Sequence, residues 1–245
     1  MKDYDKLWDN EWKSLHKIGP SVRTRNRILL RLFKKYIKRG SVLDSGCGDG
    51  TFLEILNEKY NNKLIYEGTD ISKSALKLTK EFSFVKKTYI TDVEEIKTFP
   101  KKEYTAVISS EVLEHIDKWK LALKNLITNV KKGGYIFITV PHGMKYWGKN
   151  DEFAGHYRRF EKNQIETELK KLGFTIKESI VWGFPIYWLY YTFILNNTDP
   201  KENISSKNSL IKKIASNVLY ILFYFDDIFN TTLGRRIFIV AKKVK

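Results

Sequence analysis

The chain contains 245 residues, of which 42% are apolar, 29% charged and 14% aromatic. This balance is typical of a globular protein with a large core, and it excludes a disordered, collagen-like or coiled-coil chain. A length below about 250 residues favours one large domain over several. The formal net charge is +16, which attracts phosphate-rich or anionic lipid surfaces where the excess is clustered.

The positive charge is concentrated at the two ends of the chain. Residues 1–41 contain 12 basic and four acidic side chains, and residues 201–245 contain nine and three. The single cysteine, Cys47, excludes an intramolecular disulfide and fits a reducing compartment. The first 15 residues are too charged for the apolar run of a secretory signal. We therefore expect a cytoplasmic protein.

Short apolar runs alternate with helical segments along the chain. The predicted strands are 41–46, 64–70, 87–90, 104–110, 134–141, 175–183 and 236–244. This alternation predicts an α/β fold, in which a mostly parallel sheet carries helices on both faces. The first five strands are almost continuous apolar runs, as strands buried on both faces should be. The last two alternate more and are predicted to form an edge pair.

Two segments lie outside this alternation, one at the start and one before the last strand. We interpret the whole chain, 1–245, as a single domain with an N-terminal helical lid, 1–40, and a cap insertion, 184–234, between strands six and seven. The uncharged stretch 179–198 reaches the nominal length of a membrane-spanning helix. Gly183, Pro185 and the aromatic residues in its interior instead predict a buried strand followed by an aromatic helix.

The most informative segment is VLDSGCGDG, residues 42–50. A buried strand runs into Gly46, Gly48 and Gly50 and then into a helix. Glycines at alternate positions let main-chain N–H groups and the helix N-terminus approach a ligand closely. A dinucleotide fingerprint, G-x-G-x-x-G, would need a glycine where Thr51 stands, so the spacing argues against NAD.

Acidic residues follow the next two strands. Asp70 closes the second strand in EGTDIS, where its two oxygens can accept hydrogen bonds from two ribose hydroxyls. Asp92 follows the third strand, between Thr91 and Val93, where its carboxylate can accept a hydrogen bond from an exocyclic adenine amine. Together with the glycine loop, these residues predict a site for an adenine nucleoside with a free ribose.

Residues 41–141 resemble the class I S-adenosylmethionine-dependent methyltransferases, the group that includes the ubiquinone-biosynthesis O-methyltransferases. The resemblance rests on VLDSGCGDG, GTDIS, the Asp92 turn and YTAVISSEVLEHI, and RIFIVAKKV completes the pattern. It implies a Rossmann-like seven-stranded sheet in the order 3-2-1-4-5-7-6, with strand seven antiparallel, and S-adenosyl-L-methionine as the cofactor. The residues that it assigns to the cofactor are Asp44, Gly46, Gly48, Gly50, Asp70, Ile71, Asp92, Val93, Ser110 and Glu111.

The resemblance also divides these residues between the parts of the cofactor. Asp44, Gly46 and Gly48 are expected to face the methionine moiety, and Ser110 or Glu111 the side of the sulfonium. Methyl transfer from a sulfonium is an in-line displacement, so the protein must align donor and acceptor and, for a hydroxyl acceptor, remove a proton.

Candidates for the chemistry lie in SSEVLEHI and FAGHYRRF. His115 and His156 are the candidate catalytic residues. A helix beginning near Ser110 would place Glu111, Glu114 and His115 on one face, and His156 could complete a divalent-metal ligand set. E-x-x-E-H is similar to the motif of metal-dependent members of the superfamily, small-RNA 2′-O-methyltransferases and some ubiquinone-pathway enzymes. Relatives without a metal carry similar segments, so metal-binding, general-base and structural roles all remain open.

Two arginine patterns complete the candidates. Arg158 and Arg159 could grip a carboxylate or phosphate, or form a charge pair beside the following helix. A basic stripe runs along the predicted lid helix and comprises Arg23, Arg27, Arg31 and Lys34. Such a stripe is typical of an amphipathic lid, and alternatively of docking on an anionic membrane or RNA. The nearly uncharged aromatic runs of the cap favour the membrane over RNA.

The sequence as a whole predicts an S-adenosylmethionine-dependent methyltransferase that acts on a small-molecule, sugar or lipid-linked acceptor. Oxygen is favoured as the methylated atom because His and Glu, and no Asn/Asp-Pro-Pro-Tyr type motif, line the expected site. Peripheral membrane contact is predicted through the basic ends and the aromatic cap. The alternatives are an RNA methyltransferase and a non-catalytic scaffold that binds S-adenosylmethionine, while the acceptor and the oligomeric state stay open.

Overall fold

The computed structural model describes Asp5 and residues 19–61, 63–198, 210–229 and 231–244, with the backbone alone for 211 and 212. Residues 1–4 and 6–18 of the predicted lid, and 199–209 and 230 of the predicted cap, lie outside this description. The strands are β1 (Gly40–Ser45), β2 (Leu64–Asp70), β3 (Val85–Ile90), β4 (Tyr104–Ser110), β5 (Val130–Pro141), β6 (Phe174–Trp182) and β7 (Arg236–Lys243). The α-helices are α1 (Pro20–Tyr36), α2 (Thr51–Tyr60), α3 (Lys73–Thr79), α4 (Trp119–Thr128), α5 (Lys149–Ala154), α6 (Gln164–Lys171), α7 (Ile186–Phe193) and α8 (Leu210–Leu222).

All seven strands form one sheet in the order β3-β2-β1-β4-β5-β7-β6. Neighbours among β1 to β5 are parallel, and β7 is antiparallel to both β5 and β6. The predicted fold class and strand order are confirmed. Because β7 runs against its neighbours, its first residue, Arg236, pairs with Pro141 and Trp182, the last residues of β5 and β6. The start of β7 therefore lies at the edge of the sheet where β5 and β6 end.

The burial of two strands differs from the prediction. The predicted edge pair of strands six and seven is confirmed, since β6 is the edge strand and pairs with β7. Phe238 and Val240 of β7 are nevertheless fully buried. The other edge is β3, in which no residue is buried. In the sequence, the charged residues at the end of β7 obscured the five buried residues before them, 237–241. These residues pair with β5 on one side and with β6 on the other.

Helices cover both faces of the sheet. On one face, α4 and α6 pack on the sheet through Leu123, Leu126 and Leu169. On the other face, α1 and α2 pack through Leu29, Phe33 and other apolar side chains, and residues of α7 join the same cluster. The described part of the predicted lid thus contributes directly to the core. No helix within the described ranges combines the length and hydropathy needed to cross a bilayer.

The basic stripe of α1 contacts the predicted cap. The guanidinium of Arg23 stacks over the Tyr220 ring at 4.1 Å. Asp227 accepts hydrogen bonds from Arg27, at 2.6 Å, and from Arg31, at 3.0 Å. Arg23, Arg27 and Arg31 are therefore directed toward the protein's own cap, and docking of the stripe on an anionic surface stays a prediction. Their charge joins α1 to the region that follows β6.

Candidate functional site

A cavity of about 680 Å³ opens at the carboxyl edge of β1, β2 and β4. This is the expected position for a ligand, because the strand order reverses between β1 and β4. Most of the residues that the sequence assigned to the cofactor line it, namely Asp44, Gly46, Gly48, Asp70, Ile71, Asp92, Val93, Ser110 and Glu111. The cavity therefore brings together residues contributed by four separate strand ends.

The glycine loop forms one wall of the cavity. Gly46 and Gly48 have φ angles of +77° and +56°, which glycine adopts without strain. A Cβ at Gly46 would lie 2.4 Å from Cγ2 of Val112. Gly50 is the exception among the predicted cofactor residues, because it does not line the cavity. It precedes α2 directly, and a Cβ there would meet the Phe82 ring at 3.1 Å. Gly50 therefore serves the start of α2 and its packing against Phe82.

Asp70 ties the glycine loop to the end of β2. One carboxylate oxygen accepts a hydrogen bond from the N–H of Gly48, and the other from the N–H of Ser72, both at 2.9 Å. Each oxygen retains a lone pair for a further donor. Burial raises the pKa of Asp70 above its usual value, although these backbone bonds oppose the rise. Asp70 thus combines a structural role with free acceptor capacity facing the cavity.

Asp44 is a buried acid of the same wall whose pKa is strongly raised. Its side chain is buried at the end of β1, and only 3% of the residue is exposed. Burial raises the pKa of Asp44 to about 7; the Arg25 guanidinium opposes this rise, and the Asp70 carboxylate adds to it. A cationic ligand beside Asp44 would therefore favour its ionised form.

The region after β4 corrects a prediction. No α-helix begins near Ser110, because Glu111 has a left-handed φ of +58° and the next α-helix starts only at Trp119. Between them lies a single 3₁₀ turn, Leu113–His115. Glu111, Glu114 and His115 therefore do not share a helix face. The predicted metal-ligand set of these three residues with His156 does not form on a helix.

Glu111 instead forms an ion pair in the cavity wall. Nη2 of Arg236 donates to one carboxylate oxygen of Glu111 at 3.0 Å, and the Thr139 hydroxyl donates to the other at 3.0 Å. Burial opposes ionisation, but Arg236 and Arg25 hold the pKa of Glu111 below its usual value. Glu111 is therefore ionised, and its charge is already neutralised by the protein.

The other three candidate ligands do come together. Ligand atoms of Glu114, His115 and His156 lie within 4.8 Å of one another, a donor set that suits a divalent cation such as Zn²⁺. His156 shares a hydrogen bond of 2.8 Å between its Nδ1 and Asp151. Burial and the nearby charge of Glu111 raise the pKa of Glu114 well above its usual value. This shift favours the protonated form of Glu114, and a metal would have to displace its proton.

These observations predict that the protein works without a metal. We expect a Glu114→Gln variant, which keeps the shape of the side chain and carries no charge, to retain the Tm and the reaction rate of the wild type. Dialysis against a chelator should also leave that rate unchanged. Elemental analysis that finds close to one zinc or manganese per chain, removed together with activity by Glu114→Gln, would contradict this expectation.

The arginine pair after β5 does not reach into the large cavity. Arg159 is 4% exposed, and its Nε donates to both carboxylate oxygens of Asp151 at 2.9 Å. Its Nη2 donates to the hydroxyl of Tyr191 at 2.9 Å. Arg158 pairs with Asp117 at 3.3 Å. Arg159 is thus committed to buried protein partners, and Arg158 pairs with Asp117 before α4, so neither arginine caps the following helix.

The structure adds cavity residues that the sequence patterns did not reveal. Val22, Arg25 and Asn26 from α1, and Arg236 from β7, line the large cavity. Arg25 lies off the basic stripe and carries no periodic signal. The position of Arg236 could have been a signal. It begins a strand predicted to be antiparallel, and such a strand starts at the edge of the sheet where its parallel neighbours end.

Comparison with known protein families gives one match over most of the chain. The model of the family described as "Methyltransferase domain" matches residues 20–179. The ubiquinone biosynthesis O-methyltransferase of Rickettsia canadensis is 28% identical over 155 residues, which cover 59% of this chain and 64% of that protein. The enzyme of the same name from Nitrosomonas europaea is 28% identical over 139 residues, which cover 54% of this chain and 56% of that protein. The chain thus matches less than two thirds of the length of these relatives.

Comparison with solved structures gives the same fold. The N-methyltransferase NodS from Bradyrhizobium japonicum, in complex with S-adenosyl-L-homocysteine, superposes with a TM-score of 0.61 and 14% sequence identity. The match covers the whole of both chains.

Proposed function

Because the chain belongs to the methyltransferase-domain family, we propose that it transfers the methyl group of S-adenosyl-L-methionine to a hydroxyl oxygen of a small-molecule acceptor. Family membership confirms the methyltransferase class and the cofactor predicted from the motifs. The observation that supports the finer proposal is the large cavity, which is lined both by the predicted cofactor residues and by His156, a histidine held by a carboxylate.

The proposal assigns the cofactor to the glycine-loop side of this cavity. Asp44 pairs with the ammonium group of the methionine moiety, and Asp70 accepts hydrogen bonds from the ribose hydroxyls. Asp92 accepts a hydrogen bond from the adenine amine. When bound, the cofactor supplies an electrophilic methyl group on a sulfonium. The residues of the protein hold it in line with the acceptor and exclude water from the cavity.

His156 is the general base in this proposal. Burial opposes ionisation of Asp151, but the hydrogen bond with His156 and the charge and hydrogen bonds of Arg159 hold the pKa of Asp151 below its usual value. In the proposed tautomer, the ionised Asp151 accepts a hydrogen bond from Nδ1–H of His156, which leaves Nε2 as the acceptor for a hydroxyl proton. As the acceptor oxygen bonds to the methyl carbon, the carbon–sulfur bond breaks and Nε2 takes the proton. The products are the methyl ether and S-adenosylhomocysteine.

Two observations favour oxygen as the methylated atom. A histidine oriented by a carboxylate suits removal of a hydroxyl proton. The curated relatives named above are O-methyltransferases by name.

The surface after β6 supports a lipid-linked acceptor and peripheral membrane contact. Large apolar side chains are exposed there, including Phe193 at 64%, Ile221 at 63% and Ile228 at 74%. Apolar side chains of this size enter the interfacial region of a bilayer readily. A lipid-linked acceptor would be available to the protein at such a surface.

The experiment is to incubate the protein with S-adenosylmethionine carrying a labelled methyl group and a cell extract, and to fractionate the product. We expect label in the lipid or small-molecule pool as an alkali-stable methyl ether. His156→Asn should reduce the rate by about 100-fold or more, the usual size of a general-base contribution, and should leave the affinity for S-adenosylhomocysteine unchanged.

The matched control is Glu95→Gln, which removes an exposed carboxylate outside the cavity. It should keep both the rate and the affinity. Label recovered in RNA would favour the alternative acceptor class. A wild-type protein that binds the cofactor but transfers no label to any pool would overturn the enzymatic proposal.

A further inference from the structure

A second, smaller cavity lies behind the Glu111–Arg236 ion pair. It measures about 90 Å³ and is bounded by β7, α5 and α7. Three guanidinium groups line it, those of Arg159, Arg235 and Arg236. We call it the arginine cavity. It shares Glu111, His156 and Arg236 with the large cavity, so the two spaces are neighbours.

Arg235 is buried and held in one orientation. Only 5% of the residue is exposed, and its guanidinium lies 4.4 Å from the Tyr146 ring and 4.2 Å from the Tyr191 ring. Nη2 donates to the Thr192 hydroxyl at 2.8 Å. Nε and Nη1 are buried and have no hydrogen-bond partner among the described residues. Two of the three donor nitrogens of this fixed guanidinium are therefore available to an oxoanion.

Arg236 presents the same two atoms. Its Nη2 bonds Glu111, while Nε and Nη1 are buried without a hydrogen-bond partner within the described residues. Leaving charged donors buried and unpaired destabilises a protein, because the lost hydration is not replaced. Two adjacent arginines with this arrangement therefore indicate a site in which a ligand completes the hydrogen bonding.

The charge around the arginine cavity is also incomplete. Three guanidinium groups face two carboxylates, those of Asp151 and Glu111. Asp151 already accepts bonds from Arg159 and His156. Burial, followed by the repulsion of Arg159, lowers the pKa of Arg235 below its usual value. One further negative charge would balance the cluster.

We propose that the arginine cavity binds an oxoanionic group, a carboxylate or a phosphate, carried by the methyl acceptor. The volume suits such a group and is too small for a nucleoside. Because the cavity adjoins His156, an acceptor anchored there by its anion presents the rest of its body beside the proposed general base. That the ligand is a methyl acceptor rests on the proposed function. That it carries a negative charge rests on the arginines.

The carboxylate of the cofactor is the other anion near this region. The residues assigned to the methionine moiety, Asp44, Gly46 and Gly48, line the large cavity and not the arginine cavity. The inference therefore requires that substitution of Arg235 leaves cofactor binding intact.

The first experiment measures thermal unfolding of the full chain, saturated with S-adenosylhomocysteine, in increasing inorganic phosphate at constant ionic strength. The wild type should show a saturable rise in Tm, because a ligand of the folded state stabilises it. Arg235→Gln should weaken the apparent phosphate affinity by about 10-fold or more, since a hydrogen bond to a charged group is lost. Arg235→Lys, which keeps the charge without the fork, should lie between them and remains informative if Arg235→Gln does not fold.

The control is Arg31→Gln, which removes one positive charge from a side chain that is 54% exposed. It should respond to phosphate like the wild type. Equal phosphate stabilisation of the wild type and Arg235→Gln would overturn the inference. Loss of S-adenosylhomocysteine binding in Arg235→Gln would also overturn it, because the anion would then be that of the cofactor.

The second experiment distinguishes an anion carried by an acceptor from a free anion. It compares binding of 3-hydroxybenzoate and of phenol to the S-adenosylhomocysteine complex by calorimetry. Hydroxybenzoate should bind at least about 10-fold more tightly than phenol, should compete with phosphate, and should lose this preference in Arg235→Gln. Phosphate binding without any preference for the carboxylated phenol would identify a free-anion site and overturn the assignment to the acceptor. These are binding measurements, so their failure is distinct from a failure of label transfer.

Discussion

Replacement of Asp70 by alanine is expected to weaken the binding of S-adenosylhomocysteine by at least about 100-fold. The reason is twofold, since Asp70 is the proposed acceptor for the ribose hydroxyls and also holds the Gly48 N–H at 2.9 Å. Two hydrogen bonds to a charged acceptor contribute about 3 kcal/mol or more, which corresponds to that factor in affinity. Calorimetric titration of the purified protein measures the change directly.

Asp70→Asn separates the two roles of this residue. The amide keeps one oxygen acceptor, so we expect a smaller loss of affinity than for alanine. Glu95→Gln, outside the cavity, should bind like the wild type. The circular dichroism of all variants should match, because the contacts of Asp70 lie at the surface end of β2 and not in the core. An Asp70→Ala protein that is folded and binds the nucleoside with unchanged affinity would refute the proposed cofactor site.

Replacement of Asp44 by asparagine is expected to weaken cofactor binding and to stabilise the unliganded protein. Asp44 has a pKa of about 7 in the unliganded protein, because burial disfavours its charge. Only the ionised form pairs with the ammonium of the methionine moiety. The wild-type Kd should therefore rise by about 10-fold between pH 8 and pH 6, as the binding-competent fraction falls. Asp44→Asn should bind weakly at both pH values, without this dependence.

The stability effect has a defined direction. The pKa of Asp44 is higher in the folded protein than its usual value of 3.8, so the folded state binds more protons between these two pKa values. Asp44 therefore lowers stability progressively as the pH rises through this window, by a few kcal/mol at most above pH 7. Asp44→Asn should raise the Tm of the unliganded protein at pH 8 by on the order of 5 °C.

The matched comparison is at pH 5, where Asp44 is protonated in the folded protein and the Tm difference should shrink. Arg25→Gln, which removes the cation that opposes the shift, should raise the pKa of Asp44 further and move the pH dependence of binding upward. A Tm difference that is the same at pH 5 and pH 8 would contradict the proposed role of burial at Asp44.

Much of the cofactor side of the site followed from the sequence. The alternation of apolar runs and helices gave the sheet, and each acid at a strand end projects from the same edge because parallel strands share a direction. Asp44, Asp70 and Asp92 therefore met in one cavity as expected. Gly46 and Gly48 line that cavity for the same local reason, which is the positive φ of a tight strand-to-helix turn.

The acceptor side was less predictable. The spacing of Glu111, Glu114 and His115 suggested a helix face, but the left-handed φ of Glu111 breaks the period on which that inference depended. The basic stripe of α1 suggested an external partner, yet two of its arginines bind Asp227, which lies 200 residues away from Arg27. Periodicity predicts which side chains of a segment share one face. Which residues that face contacts depends on how distant segments pack.

The sequence by itself determined the class of fold, through the alternation of strands and helices, and the acids at the strand ends, while the resemblance of its motifs to a family implied the cofactor. These signals are local, because each depends on a single strand, turn or helix or on their order. The tertiary structure alone decided the pairing of Glu111 with Arg236, the orientation of His156 by Asp151 and the unpaired guanidinium atoms of the arginine cavity. The Glu111–Arg236 pair joins residues 125 positions apart. Its existence depends on β7 entering the sheet antiparallel, which brings the start of the last strand to the edge where the others end.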